Sequence, residues 1–350
     1  MIRIALDAAG GDRGPEEVLR AAALVAGRYD ITLVGPRELV VSAARAAGVD
    51  LSPFGLTDAP EVVGMGEPPS EAIRSKPRSS LTVGLELVAS GRAEAFISAG
   101  NSGAVVAGAL LMLGRLPGVD RPGVATHLPT YRGRIIIIDA GANADCRPHH
   151  LLQFGVMGSA YYRCTFGNPS PRVGLLNIGE EPSKGNLLAR RAYQLLSASG
   201  LNFVGNVEGK DLPWDVADVV VTDGFSGNVA LKTAEGVGEM LFKAIQAKIN
   251  QRLRYRLGGL LLAPAFRELL SRYDYAEYGG APLLGVRGVV VLAHGRSNAR
   301  ALRGAIEMAA EAVRTGVTEA VARAVEQLTV TGPGLGSRLG PDDGGIGPGL

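Results

Sequence analysis

Residues 134–146 read R-I-I-I-I-D-A-G-A-N-A-D-C. The unbroken aliphatic run Ile135–Ile138 has no polar alternation, which describes a strand covered on both faces. The small, polar run from Asp139 to Cys146 describes an elbow, and a helical pattern follows at His149–Cys164. The same order recurs along the chain. Strand-like runs stand at Ile2–Leu6, Ile31–Val34, Ala95–Ser98, Val173–Ile178, Val219–Thr222 and Gly288–Ala293. Helical patterns stand at Glu16–Ala26, Leu81–Ser90, Ser102–Gly114, Ser183–Ser199 and Asn298–Leu328. Alternation of short strands and helices predicts an α/β fold built on a doubly wound sheet.

The elbows after the strands carry the chemistry. They read D-A-A-G-G-D-R-G-P-E from Asp7, S-A-G-N-S-G from Ser98, N-I-G-E-E-P-S-K-G-N from Asn177, D-G-F-S-G-N from Asp223 and H-G-R-S-N from His294. Gly admits close backbone approach. Ser, Asn and Asp cap helices whose first N–H groups and positive dipole end attract anions. If the elbows share the carboxyl edge of the sheet, several helix starts converge on one anion. Each elbow taken singly also reads as an ordinary cap, so the set is the signal. Lys184 and Lys232 bring cations into two elbows; each also reads as a solvated residue, Lys184 beside Glu180 and Glu181. His294 ends an apolar strand and reads equally as a structural histidine.

Composition narrows the class. Lys plus Arg is 36 and Asp plus Glu is 34 in 350 residues, which excludes the strong basic excess of a dedicated nucleic-acid binder. Two cysteines, Cys146 and Cys164, make neither a disulfide framework nor a C-x-x-C pair. With four histidines there is little for a metal cage, and no G-x-G-x-x-G, Walker or G-x-S-x-G motif occurs. No metal and no cofactor is expected. The N-terminus lacks a signal peptide and no run approaches a membrane span, so a cytoplasmic protein is expected. Residues 329–350, rich in Gly and Pro, read as a disordered tail after a single catalytic domain over 1–328.

Residues 241–273 stand apart. Leu241, Ile245, Ile249 and Leu253 form one helical stripe, and Gly258-Gly259 is expected to break it before Leu260, Leu261 and Leu262. Seven basic residues, Arg252, Arg254 and Arg256 among them, face one acid, a net of +6. A basic amphipathic helical hairpin suits an anionic membrane surface; an apolar stripe packed against a second subunit suits it as well.

In this order, D-A-A-G-G-D, S-A-G-N-S-G-A, L-G-R-L-P-G-V-D-R-P, D-A-G-A-N-A-D-C, N-I-G-E-E-P-S-K-G-N, N-V-E-G, D-G-F-S-G-N-V-A-L-K, Y-G-G-A-P-L-L-G and H-G-R-S-N resemble the bacterial phosphate acyltransferase family. The likeness runs from Ile2 to about Glu326. It departs at Ala9, where the family commonly has Met, at Pro182 and Arg296 inside motifs, and in the tail. The resemblance implies a Rossmann-like α/β/α sandwich related to phosphotransacetylases and isopropylmalate dehydrogenases, with the hairpin protruding. It implies transfer of an acyl group from acyl-acyl carrier protein to inorganic phosphate for phospholipid synthesis. It further implies a homodimer, peripheral association with the inner face of the cell membrane, and a membrane-bound acyl-phosphate:glycerol-3-phosphate acyltransferase that consumes the product.

That chemistry needs a positioned phosphate and oxyanion stabilisation, because a thiol of pKa about 8.5 leaves without strong acid help. Lys184, Asp223 and His294 are the catalytic candidates. Asn101, Ser102, Asn143, Asn186, Ser226, Asn228, Lys232, Ser297 and Asn298 are the phosphate- and substrate-binding candidates. Arg74, Lys76 and Arg78 are candidates for meeting the acidic carrier protein, or form a solvated linker. Two alternatives stay open. G-G-D-R-G-P-E also looks like the opening loop of an NAD-dependent decarboxylating dehydrogenase of the isopropylmalate type, and the hairpin is compatible with a non-enzymatic membrane scaffold.

Overall fold

The computed structural model describes residues 1–273 and 279–331. The strands are β1 (Arg3–Asp7), β2 (Asp30–Gly35), β3 (Gly55–Asp58), β4 (Ala95–Ser98), β5 (Gly123–Pro129), β6 (Arg134–Ile138), β7 (Val173–Asn177), β8 (Phe203–Glu208), β9 (Val219–Val221), β10 (Ala281–Leu284) and β11 (Val289–Leu292). The helices are α1 (Pro15–Ala23), α2 (Arg37–Ala47), α3 (Pro69–Ser75), α4 (Ser80–Ala89), α5 (Ser102–Met112), α6 (Pro148–Phe166), α7 (Leu187–Ser197), α8 (Gly224–Asn250), α9 (Leu253–Tyr273), α10 (Ala299–Arg314) and α11 (Val317–Thr331). The last helix runs three residues past the Leu328 at which the sequence pattern ends. The rest of the expected tail, 332–350, lies outside the described residues.

All the described strands join one mixed sheet in the order β3-β2-β1-β4-β11-β10-β5-β6-β9-β7-β8. Side chains alternate between two apolar layers: Ala95 and Ile97 of β4 enter the cluster that α1, α6, α10 and α11 cover, while Phe96 enters the one that α4 and α5 cover. This two-sided burial is why the strands read as continuous aliphatic runs. Helices therefore flank a central sheet, as expected. The sheet is not uniformly parallel, however. β10 is antiparallel to both β11 and β5, and β5 is antiparallel to β6.

Three successive reversals change the direction of the second half of the sheet. β1, β2, β3, β4 and β11 run one way, and β6, β7, β8 and β9 run the other. The carboxyl ends of β1, β4 and β11 consequently lie on one edge and those of β6, β7 and β9 on the opposite edge. A shared elbow edge does not form.

The hairpin also differs from expectation. α8 ends at Asn250 and α9 starts at Leu253, so the turn is Gln251–Arg252. Gly258 and Gly259 lie inside α9 and do not break it. A Cβ on Gly259 would sit 2.7 Å from Cγ2 of Ile249. Gly259 thus lets α9 fold back tightly onto the last turn of α8. Leu260, Leu261 and Leu262 stand two turns beyond the bend and are 71, 84 and 55 % exposed. The described part of the long C-terminal pattern divides at Thr315–Gly316, where Gly316 adopts φ +64°.

Candidate functional site

The first edge gathers the β1, β4 and β11 elbows. Asp7 is buried at the end of β1. Its carboxylate accepts the N–H groups of Ala9 and Gly10 and, at 2.6 Å, the hydroxyl of Ser98. Burial raises its pKa and these bonds oppose the rise. The β1 elbow reaches β11 through the Asp12 N–H, which donates to the Gly295 carbonyl at 2.7 Å. Asn101 is buried and its side chain is fully engaged. Oδ1 caps α5 by accepting from Ala104, and Nδ2 holds the carbonyls of Gly64, Met65 and Glu67. Asn101 therefore fixes the 64–67 loop over the elbow. Lys76 ties the same loop by bonding Glu67 at 2.6 Å and the Val62 carbonyl at 2.9 Å, which neutralises part of the basic 74–78 segment.

Ser102, Gly103 and Ala104 all lack an intrahelical acceptor at the start of α5, and of these Ala104 is capped by Asn101. α10 is arranged otherwise: Asn298 caps Ala301, and the Ala299 N–H donates to Glu17 at 2.6 Å, so a carboxylate of this chain already sits at that helix start. Ser297 is buried behind it, its N–H donating to the His294 carbonyl.

His294 closes this edge. Its Nδ1 accepts the Arg296 N–H at 3.1 Å, so the neutral ring carries its proton at Nε2. Desolvation of the ring and then the charge of Lys232 hold its pKa below the ordinary histidine value. Lys232 projects from α8, which starts at the opposite edge and whose Leu231 packs against the apolar layer that includes Leu292 of β11. Its Nζ also bonds Glu235 at 2.8 Å, and Arg296 stands in the same field. The charge of Lys232 thus acts on the His294 ring although the two residues lie 62 positions apart in sequence.

The opposite edge is organised by Asp139. Its buried carboxylate accepts five bonds, from the N–H groups of Val124, Gly141, Ala142 and Asn143 and from Nδ2 of Asn143. Burial again raises the pKa and the donors oppose it. Asn228 reaches back to the Ala140 carbonyl at 3.1 Å. Asp223 caps α8, one oxygen accepting the Ser226 N–H and the other its hydroxyl, so both are committed within the chain. Gly227 seats the helix: a Cβ there would meet the Asp139 carbonyl oxygen at 2.0 Å. The Cys146 thiol beside this knot is pushed up to about 12 by burial and by Asp139 and Asp223, which leaves it no nucleophilic thiolate at neutral pH.

Lys184 and Asn186 form a third group, on the exposed β7 elbow. Asn186 caps α7 through Ala189, which moves the helix start from the expected Ser183 to Leu187. Asn177 and Asn206 brace the loop through the carbonyls of Lys184, Glu180 and Glu181. The charge of Lys232 acts on His294, and Asn143, Asp223, Ser226 and Asn228 gather around the Asp139 elbow. The chain sets Lys184 with the second group's edge, apart from His294. Asp7 and Asp139 were not among the sequence candidates. Their signal was present, an acid that ends an aliphatic strand just before small residues.

Residues 2–320 match the family described as fatty acid synthesis protein. A phosphate acyltransferase of Pelotomaculum thermopropionicum is 45% identical over 338 residues, covering 95% of this chain and 98% of its own. One from Desulforamulus reducens is 47% identical over 331 residues, with 93% and 98% covered. The chain belongs to the phosphate acyltransferase family. That membership makes it an acyltransferase of fatty acid and phospholipid synthesis, and it disfavours the dehydrogenase alternative. A phosphotransacetylase of Streptococcus pyogenes superposes with TM-score 0.58 at 19% identity over 93% of this chain and 94% of that one. At that identity the likeness is one of fold. A 4-hydroxythreonine-4-phosphate dehydrogenase of Klebsiella pneumoniae shares the fold at TM-score 0.55 and 14% identity, covering 89% of this chain and 100% of its own, so the fold itself does not separate the activities. No helix among the described residues is long and apolar enough to cross a membrane.

Proposed function

We propose that this phosphate acyltransferase family member moves a fatty acyl group from acyl-acyl carrier protein to inorganic phosphate. A phosphate oxygen attacks the thioester carbonyl carbon, the carbonyl oxygen becomes an oxyanion, and collapse breaks the C–S bond. The products are acyl-phosphate and the carrier thiol. Phosphate already carries anionic oxygens at neutral pH, so no general base is required. This suits a site in which both Asp223 oxygens accept internal bonds and the His294 ring holds its proton at Nε2.

The observation that carries the reading is the charge of Lys232 acting on His294 at the β11 elbow, which adjoins the β4 elbow leading into α5: Leu292 pairs with Ser98 and the Ala293 N–H donates to the Ser98 carbonyl. A cation, an imidazole N–H and a helix start together supply what a phosphate and a developing oxyanion need. Ser297 and Asn298 shape this elbow from behind. Asn143, Ser226 and Asn228 hold the opposite edge, where Lys184 and Asn186 meet the anionic part of the donor. The α8–α9 arm, with Leu260, Leu261 and Leu262 exposed near Arg252, Arg254 and Arg256, rests on an anionic membrane at the cytoplasmic face. There the homodimer passes acyl-phosphate to the membrane-bound glycerol-3-phosphate acyltransferase. The test is phosphorus NMR of purified protein with acyl-carrier thioester and phosphate. A new mixed-anhydride signal appearing with free thiol is expected; thiol release without that signal removes the reading.

A further inference from the structure

Arg115, Arg121, Arg147 and Arg287 are all exposed and lie on the edge that carries the Asp139 elbow. Topology brings them there. Leu284 at the end of β10 pairs with Gly123 at the start of β5, Ala125 pairs with Ile138 at the end of β6, and Arg115 bridges Val286. Hydrogen bonds link them into a strip. Nε of Arg287 donates to the Arg115 carbonyl at 3.1 Å, and Nη1 of Arg115 donates to the Asp120 carbonyl at 2.6 Å. Arg121 follows Asp120 directly, and its charge and that of Arg147 both act on His150 in the first turn of α6.

Among the described residues, none of the four arginines is ion-paired with a carboxylate. Two acids lie in the same segments: Asp145, and Asp120, whose carboxylate is 3.3 Å from Nε2 of His149. Asp120, His149 and His150 bring potential metal-ligand atoms within 4.8 Å of one another. Yet this group stands at the positive end of α6, a helix of 19 residues, among the four guanidinium groups. That field repels a cation and favours an anionic partner.

We propose that this arginine strip is the docking surface for the acidic carrier protein that delivers the acyl thioester. The inference rests on the acyl-transfer function proposed above. Carboxylates on a folded helix match a row of fixed guanidinium groups, because Arg forms bidentate bonds in a set geometry. Backbone carbonyls already hold two of the side chains in place, so little freedom is lost on binding. The strip lies at the end of the sheet from which α8 starts, and Lys232 lies farther along that helix. A carrier docked here sends its flexible thioester arm along α8 to the Lys232–His294 edge. A lipid surface fits less well, since the exposed leucines of α9 belong to the separate arm.

The test compares wild type with Arg287→Glu and with Arg147→Glu/Arg287→Glu, using fluorescently labelled holo carrier protein for binding. The same acyl group is then offered on the carrier and on N-acetylcysteamine. Expected are at least tenfold weaker carrier binding in the double variant and an equal rise in KM for the carrier substrate. Turnover of the small thioester should stay within twofold, and Arg147→Lys/Arg287→Lys should restore part of the binding. Carrier binding in the double variant within twofold of wild type overturns the proposal. So does an equal loss on both thioesters with unchanged binding, or loss of binding to phosphatidylglycerol vesicles alone. Wild type that binds the carrier through these arginines yet transfers no acyl group keeps the docking surface and removes the activity.

Discussion

Asn143 donates to one carboxylate oxygen of Asp139 twice, from its backbone N–H at 2.7 Å and from Nδ2 at 2.8 Å. With three further N–H donors on the other oxygen, this carboxylate ties β5, β6 and the elbow into one body. Asp139→Ala strands several buried donors at once, each costing about 1–3 kcal/mol when unmade. A loss of at least about 3 kcal/mol in urea unfolding is expected, and Asp139→Asn should lose less. Wild-type stability in Asp139→Ala would contradict the hub.

Lys232 and Lys184 stand at opposite edges and should fail differently. Lys232→Ala removes a cation from the His294 elbow, so kcat should fall roughly a hundredfold, in line with loss of an oxyanion donor. Its exposed bond to Glu235 is worth at most about 1 kcal/mol, so thermal unfolding should barely move. Lys184→Ala should chiefly raise the KM of the acyl donor. Steady-state kinetics on both variants checks the division, and identical profiles would contradict it.

His127 supplies a pH signature. Burial, with Arg134 adding, holds its pKa at about 3, while Nε2 pairs with the Tyr161 hydroxyl at 3.1 Å. Between pH 6.5 and 3 the unfolded chain binds a proton that the folded chain excludes. Stability therefore falls as pH falls, by up to about 1.4 kcal/mol per unit. His127→Gln should flatten the unfolding free energy by about one proton's slope between pH 6 and 4.5, measured against wild type in urea titrations.

The arm can be tested without touching the elbows. Leu261→Glu/Leu262→Glu places two charges on side chains that are 84 and 55 % exposed. Flotation with anionic vesicles should be lost, while acyl transfer on the carrier substrate should persist. Size-exclusion chromatography run alongside separates this from subunit contact, because dissociation or aggregation without vesicles would assign these leucines to the dimer instead.

The strands that sequence made legible were those buried on both faces, such as β4 and β6. β5 and β10 escaped because Gly123, His127, Pro129 and Pro282 interrupt their apolar pattern, yet these two strands reverse the sheet and split the elbows between its edges. The elbow residues were legible as a set, but their partners were not. A cap and a ligand contact use the same Asn or Asp, and only three-dimensional placement shows that Asn101 and Asp223 spend their polar atoms inside the chain. Gly258-Gly259 misled for a related reason: glycine marks close helix approach as well as a break, and at Gly259 the nearby Ile249 decides between them.

The central claim is that phosphate oxygen forms the new bond to the acyl carbon. Phosphate labelled in all oxygens with oxygen-18, incubated with the protein and unlabelled acyl-carrier thioester in ordinary water, tests it directly. Mass spectrometry should find acyl-phosphate retaining all four labelled oxygens, one of them bridging carbon and phosphorus. Unlabelled fatty acid formed at the rate of thiol release, with no labelled anhydride, would contradict it.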